Sequence, residues 1–272
     1  MSRDFTYKTA LWIFFITLIL YMIIIQGIFV KTDILANSAQ SIKYLIHILL
    51  QIFLLLPPFL YVKLHHKSTK LFFRYRKVGK LNIGYLLLIS LLLFLVLLAF
   101  DYLFFMIGLK KVIVVHDMLL SKNWNVVLLI ISSLIVTPIV EEAFFRGFLF
   151  RIMLKRKYSP LLTIMFSSFL FSLAHMNVSS IFQIFLAGII LAYIAYFFHS
   201  IIPGIIIHSI FNTLALVENN VPRIRESFIY GSPAIPILFL LVGGILLILG
   251  MLGLRNKLHI QHKEKGGLVY EK

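Results

Sequence analysis

The chain has 272 residues, 61% of them hydrophobic and only 13% charged, and its mean hydropathy is +0.99; this excludes an ordinary soluble domain and marks a polytopic membrane protein. It has no cysteine, so disulfides, thiolate zinc sites and a cysteine nucleophile are excluded. The formal charge of +16 does not indicate nucleic acid, because the basic residues fall in short loops between apolar runs, where membrane topology places them.

Apolar runs long enough to cross a hydrocarbon core of about 30 Å occur at roughly 9–30, 43–62, 84–108, 125–154, 160–177, 180–198, 201–218 and 233–254. The expected fold is therefore all-α: a bundle of about eight transmembrane helices forming a single domain over 1–272. The first run is too long for the apolar part of a signal peptide and reads as a retained span. In the second, His47 and Gln51 read as packing and hydrogen-bonding residues. The segment Lys70 to Lys77 interleaves bases with aromatics, as a stretch lying on an anionic leaflet would, and is read as an ordinary basic loop. An even number of spans puts both termini on one side. That side carries eighteen Lys and Arg residues against seven on the other, so the positive-inside rule predicts a cell-membrane protein with cytoplasmic termini.

The fourth run holds Val140-Glu141-Glu142-Ala143-Phe144-Phe145-Arg146. A charged residue near the middle of a membrane helix costs about 2.5–3.5 kcal/mol on insertion scales, while each Leu, Ile or Phe returns about 0.3–0.6 kcal/mol. Three charges cancel most of what their neighbours contribute unless they pair and face the protein interior. Glu142 and Arg146, four apart, share a helical face and can pair; Glu141, rotated by about 100°, is left outside that pair. Thr137-Pro138 just upstream is expected to kink the helix or free a carbonyl.

His175 lies at the end of the fifth run, and the seventh places His208 and Asn212 four apart on one face. Counted from the turn near Lys157, Glu141 and His175 fall at the same depth on antiparallel helices, with His208 close to it. A carboxylate and an imidazole converging in a wet pocket can deprotonate a water for attack on a carbonyl. A second imidazole and a carboxamide suit the developing oxyanion. Glu141, His175 and His208 are equally ligand types for a divalent metal such as zinc, although the chain lacks an HExxH pair.

These residues resemble the motifs of the type II CAAX prenyl endopeptidases and their bacterial relatives, the CPBP or Abi group of intramembrane proteases. EExxxR is matched by Glu141, Glu142 and Arg146, FxxxH by Phe171 and His175, and HxxxN by His208 and Asn212, in order, within a core at 125–218. The resemblance implies that Glu141 and His175 activate the water, that His208 and Asn212 stabilise the oxyanion, and that Glu142, Arg146 and Phe171 support the site. Metal-dependent and metal-free schemes both exist for such enzymes; the metal-free one is favoured here because Asn212 is a weak zinc ligand. The implied substrate is a membrane-associated peptide or protein. The compact loops and the Ile, Phe and Lys bias look bacterial, and the bacterial relatives suggest bacteriocin self-immunity or peptide-signal maturation. The rival readings are a non-catalytic immunity or scaffold protein and a proton-coupled transporter; against the latter, neither inverted repeats nor matched broken helices are found.

Overall fold

The computed structural model describes residues 7–25, 39–65, 68–75, 83–108, 123–220 and 232–264. Among them all regular structure is helical: α1 (Tyr7–Ile25), α2 (Gln40–His65), the single turn α3 (Thr69–Phe72), α4 (Ile83–Met106), α5 (Trp124–Lys155), α6 (Pro160–Ala174), α7 (Ile181–Phe198), α8 (Ile202–Asn220) and α9 (234–264). Within hydrocarbon a backbone must satisfy its own hydrogen bonds, which is why runs this apolar become helices. The eight long helices coincide with the eight apolar runs, so the fold is an all-α polytopic membrane protein. The end of the first run, 26–30, lies outside the described residues, as do Arg76 and Lys77.

Six helices are long and apolar enough to cross a membrane, whereas α6 and α8 are shorter. The fifth run was expected to reach residue 177, but α6 stops at Ala174. Ser159 caps its start by accepting from the Leu162 N–H at 3.2 Å, Pro160 occupies the first turn, His175 closes it, and Met176 takes a φ of 49°. Its 15 residues span about 22 Å.

Packing groups these helices into two compact units, α1–α3 with α5–α8, and α4 with α9. The sequence reads as one transmembrane domain; the first unit alone contains every residue of the 125–218 core. In the second unit, Gly243 of α9 lies against Val96 of α4, and the Tyr85 hydroxyl donates to the Gly250 carbonyl.

In the first unit Phe14 of α1 stacks on Phe144 of α5 with centroids 4.4 Å apart, and Phe145 meets Phe171 of α6 edge-on. The outer faces carry exposed apolar side chains such as Trp12, Ile16 and Ile23 of α1 and Leu49 of α2, the surface a lipid-facing helix presents. Lipid is as apolar as the side chains, so helix association rests on close packing and hydrogen bonds. The α6–α7 hairpin shows this: a Cβ added at Gly188 would lie 3.0 Å from Ser168 Cβ and 3.3 Å from Phe171 Cδ1.

Two aromatic residues of the basic loop turn into the protein. Phe72 and Phe73 are buried in the first unit, Phe73 fitting against Gly147, where a Cβ would come within 3.1 Å. Arg151 donates to the Phe72 carbonyl with its guanidinium 4.8 Å from that ring, and the Ile201 N–H donates to the Arg74 carbonyl at 3.2 Å. The loop reading is corrected to this extent: Phe72 and Phe73 are part of the packing that frames α5.

The helix α5 is interrupted. Segments Ile131–Val136 and Glu142–Phe150 are π-helical and flank the α-helical Thr137–Glu141. The Thr137 N–H bonds the Ser132 carbonyl, five residues back. Pro138 has no N–H, and the carbonyls it would have bonded, Leu134 in an α register or Ser133 in a π register, are taken by α8: Ser209 Oγ donates to Leu134 at 2.7 Å and Asn212 Nδ2 to Ser133 at 2.9 Å. The freed-carbonyl expectation holds, and α8 is thereby fixed to α5.

Gly188→Ala should cost about 1–3 kcal/mol by overpacking the hairpin, seen as a lower denaturation midpoint of the detergent-solubilised protein. Gly244→Ala, where nothing lies within 4 Å of the added Cβ, should leave the midpoint unchanged or slightly raised. Equal effects would contradict the close approach of α6 and α7.

Candidate active site

The site begins with a brace. Glu142 and Arg146 are wholly buried, and Arg146 Nη1 donates to Glu142 Oε1 at 2.9 Å. Arg146 Nη2 donates to the Gly188 carbonyl at 3.0 Å, and the guanidinium carbon sits 4.3 Å from the Phe171 ring centroid. Gly204 at the start of α8 admits the carboxylate, since a Cβ there would lie 3.1 Å from Glu142 Oε2. One ion pair therefore ties α5 to α6, α7 and α8. Outside the spans, burial pushes the Tyr75 phenol up to about 12, with the negative charge of Glu142 adding to the effect.

The brace also aims a histidine. Glu142 Oε1 lies 3.2 Å from His208 Nδ1; an ionised carboxylate only accepts, so Nδ1 carries the hydrogen and Nε2 faces the other way. His175 is set in the same manner: its Nδ1 is 2.8 Å from the Phe171 carbonyl, which also only accepts. Both rings thus present Nε2 inward, His175 at 3.9 Å and His208 at 3.8 Å from Glu141 Oε2. The level placement of Glu141, His175 and His208 expected from residue counting is what the helices deliver.

Glu141 Oε2 is buried and has no hydrogen-bond partner. With both Nδ1 atoms protonated, the neutral rings offer lone pairs at Nε2, so three acceptors converge at spacings too long for direct hydrogen bonds. A water between them can donate to two, Glu141 Oε2 and one Nε2, and is matched on the third side when the other ring carries a hydrogen at Nε2 and donates. His175 has 31% of its side chain exposed against 5% for His208 and 10% for Glu141, so the cluster opens at the end of α6.

The expectation for Asn212 needs refinement. Its amide donates to the Ser133 carbonyl, so one hydrogen is committed to holding α8 on α5 and only the second is available to a reacting group. Gln51 of α2, read from the sequence as a hydrogen-bonding residue but not as part of the site, is fully buried and donates to Glu141 Oε1 at 3.4 Å. Its signal was an amide inside an apolar run, one helical turn from His47. His47 does act as a hydrogen-bonding residue, with Nδ1 2.7 Å from Ser132 Oγ.

A carboxylate and two imidazoles are the donor types of catalytic zinc sites. Among the described residues, however, no group of three or more His, Cys, Asp or Glu side chains is arranged to hold a metal ion.

Arg146→Met should destabilise the protein by about 3–5 kcal/mol, because Glu142 is left charged and buried, whereas Arg146→Met combined with Glu142→Gln should recover much of that loss. Unfolding titrations in detergent would read both. A double variant no more stable than the single would remove the brace.

No curated protein matches the chain. Residues 123–214 match a family model, Rce1-like, described as type II CAAX prenyl endopeptidase Rce1-like. The match takes in Glu141, Glu142, Arg146, Phe171, His175, His208 and Asn212, all the residues from which the site is built. Residues 123–214 of this membrane protein, which carry the whole of the site, are thus similar to the type II CAAX prenyl endopeptidases.

Proposed function

We propose that the protein is an intramembrane endopeptidase that hydrolyses a peptide bond in a membrane-associated peptide or protein, with water activated by Glu141 and His175. The observation that carries this reading is the approach of two imidazole Nε2 atoms to one unpartnered carboxylate oxygen, at 3.9 and 3.8 Å, in a core that matches CAAX-type proteases.

A water held there gives one hydrogen to Glu141 Oε2 and the other to His175 Nε2, which turns an oxygen lone pair toward the substrate carbonyl. As that oxygen attacks, Glu141 takes its proton. The carbonyl oxygen becomes an oxyanion. His208, when protonated at both nitrogens, offers it Nε2–H while Glu142 holds Nδ1–H, and the second amide hydrogen of Asn212 adds a further donor. Collapse breaks the C–N bond as Glu141 passes its proton to the leaving amine, His175 Nε2 takes the hydrogen left on the attacking oxygen, and the products are a carboxylate and an amine. No step requires a metal ion.

With the basic turn after α5 in the cytoplasm, Glu141 lies about 15 Å along α5 from Arg151. A peptide anchored in the inner leaflet would reach that depth, whereas a freely soluble one would not. Maturation of a peptide signal or self-immunity to a peptide bacteriocin are settings where such an activity would serve.

Purified protein in liposomes, given lipid-anchored reporter peptides, should cleave them. Glu141→Ala and His175→Ala should abolish turnover without loss of folded protein, and His208→Ala should lower kcat by on the order of 10²- to 10³-fold. Turnover retained by Glu141→Ala would defeat the reading. In the same assay, protein stripped by a chelator and verified zinc-free should keep its activity; loss restored by one equivalent of zinc would replace the metal-free scheme with a metal-dependent one.

A further inference from the structure

We infer that Gln51, on α2, is a positioning residue that sets which oxygen Glu141 presents to the water; the inference rests on the hydrolase reading. The geometry is that of an anchored amide. Gln51 is wholly buried, and its Nε2 lies 3.4 Å from Glu141 Oε1, 3.3 Å from the Tyr21 hydroxyl and 3.5 Å from His47 Nε2. An amide nitrogen has two hydrogens, and both Glu141 Oε1 and the Tyr21 hydroxyl accept from it, with the His47 ring nitrogen accepting in the tautomer that leaves Nε2 bare. The carboxylate is the charged one and forms the stronger hydrogen bond, leaving the other hydrogen to Tyr21 or His47.

The consequence concerns a torsion. The terminal torsion of a glutamate is broad and two-fold, so nothing intrinsic to Glu141 fixes which oxygen faces the histidines. The Glu142–Arg146 pair cannot do it, because it acts on the neighbouring residue. Gln51 holds Oε1 from the α2 side and leaves Oε2 opposite both imidazoles. Tyr21 on α1 and His47 one turn back on α2 hold the amide in turn, and the His47 ring is itself fixed 2.7 Å from Ser132 Oγ of α5. The two N-terminal helices, which lie outside the matched region 123–214, thereby reach the catalytic carboxylate.

A polar residue that only glues α2 to α5 would influence stability alone. A positioning residue alters the carboxylate itself. The test uses Gln51→Met, which keeps the volume and removes the donor, and Gln51→Leu as a second apolar variant. In the full-length protein in liposomes, kcat for a lipid-anchored reporter peptide should fall about tenfold or more with KM little changed. Independently of turnover, the infrared carboxylate band of Glu141, identified as the band missing in Glu141→Gln, should shift when the Gln51 donor is removed. The wild-type protein compared with Glu141→Ala provides the reciprocal reading, as the Gln51 side-chain amide band should move when its acceptor is deleted; this holds even if neither Gln51 variant folds. An unmoved Gln51 amide band, or an unmoved carboxylate band with kcat intact, would overturn the inference. Failure of the wild-type protein to cleave would instead count against the hydrolase reading, while the infrared bands would still report whether the contact exists.

Discussion

An arginine with no exposed surface inside a membrane helix has to be satisfied by protein, and the way Arg146 is satisfied organises the rest of the site. Its guanidinium uses a carboxylate on α5, a carbonyl on α7 and an aromatic face on α6. The carboxylate that neutralises it then has a lone pair left for His208 on α8. Four helices are thus held by one ion pair. In hydrocarbon, where apolar contact between helices has little advantage over contact with lipid, such a buried pair specifies an arrangement more sharply than the surrounding Leu and Ile do. Removing one partner would leave a bare charge, so the pair is retained or lost as a unit.

The second constraint is the interrupted course of α5. Pro138 cannot donate, which leaves the Leu134 or the Ser133 carbonyl, according to register, without its backbone donor. Ser209 and Asn212 supply the hydrogens. These two residues lie one and four positions after His208 on the same helix, so the repair of a proline defect also delivers a histidine to Glu141. Structural polar groups and reacting groups are interleaved along α5 and α8, and Asn212 has a foot in each class.

Much of this was legible in the residues. The eight apolar runs are the eight long helices, and the Glu142–Arg146 pair followed from their spacing. Residue counting placed Glu141 level with His175 because two antiparallel helices joined by a short turn have few ways to be offset. Three features were not legible. The end of α6 at Ala174 depends on a positive φ at Met176, which an apolar run conceals. The close seat of Phe73 depends on Gly147 being the place where a ring can approach α5, a tertiary fact. The contact of Gln51 with Glu141 joins residues 90 positions apart, and periodicity carries no information across that distance.

The central claim is that Glu141 Oε2, His175 Nε2 and His208 Nε2 enclose one water. Its most direct test is a crystal structure of the wild-type protein at a resolution that shows ordered solvent, with data also collected at the zinc absorption edge. The account predicts a single oxygen-sized density peak within hydrogen-bonding distance of all three atoms and no anomalous signal there. An anomalous peak at that position, or a Glu141 carboxylate turned away from both histidines, would contradict it.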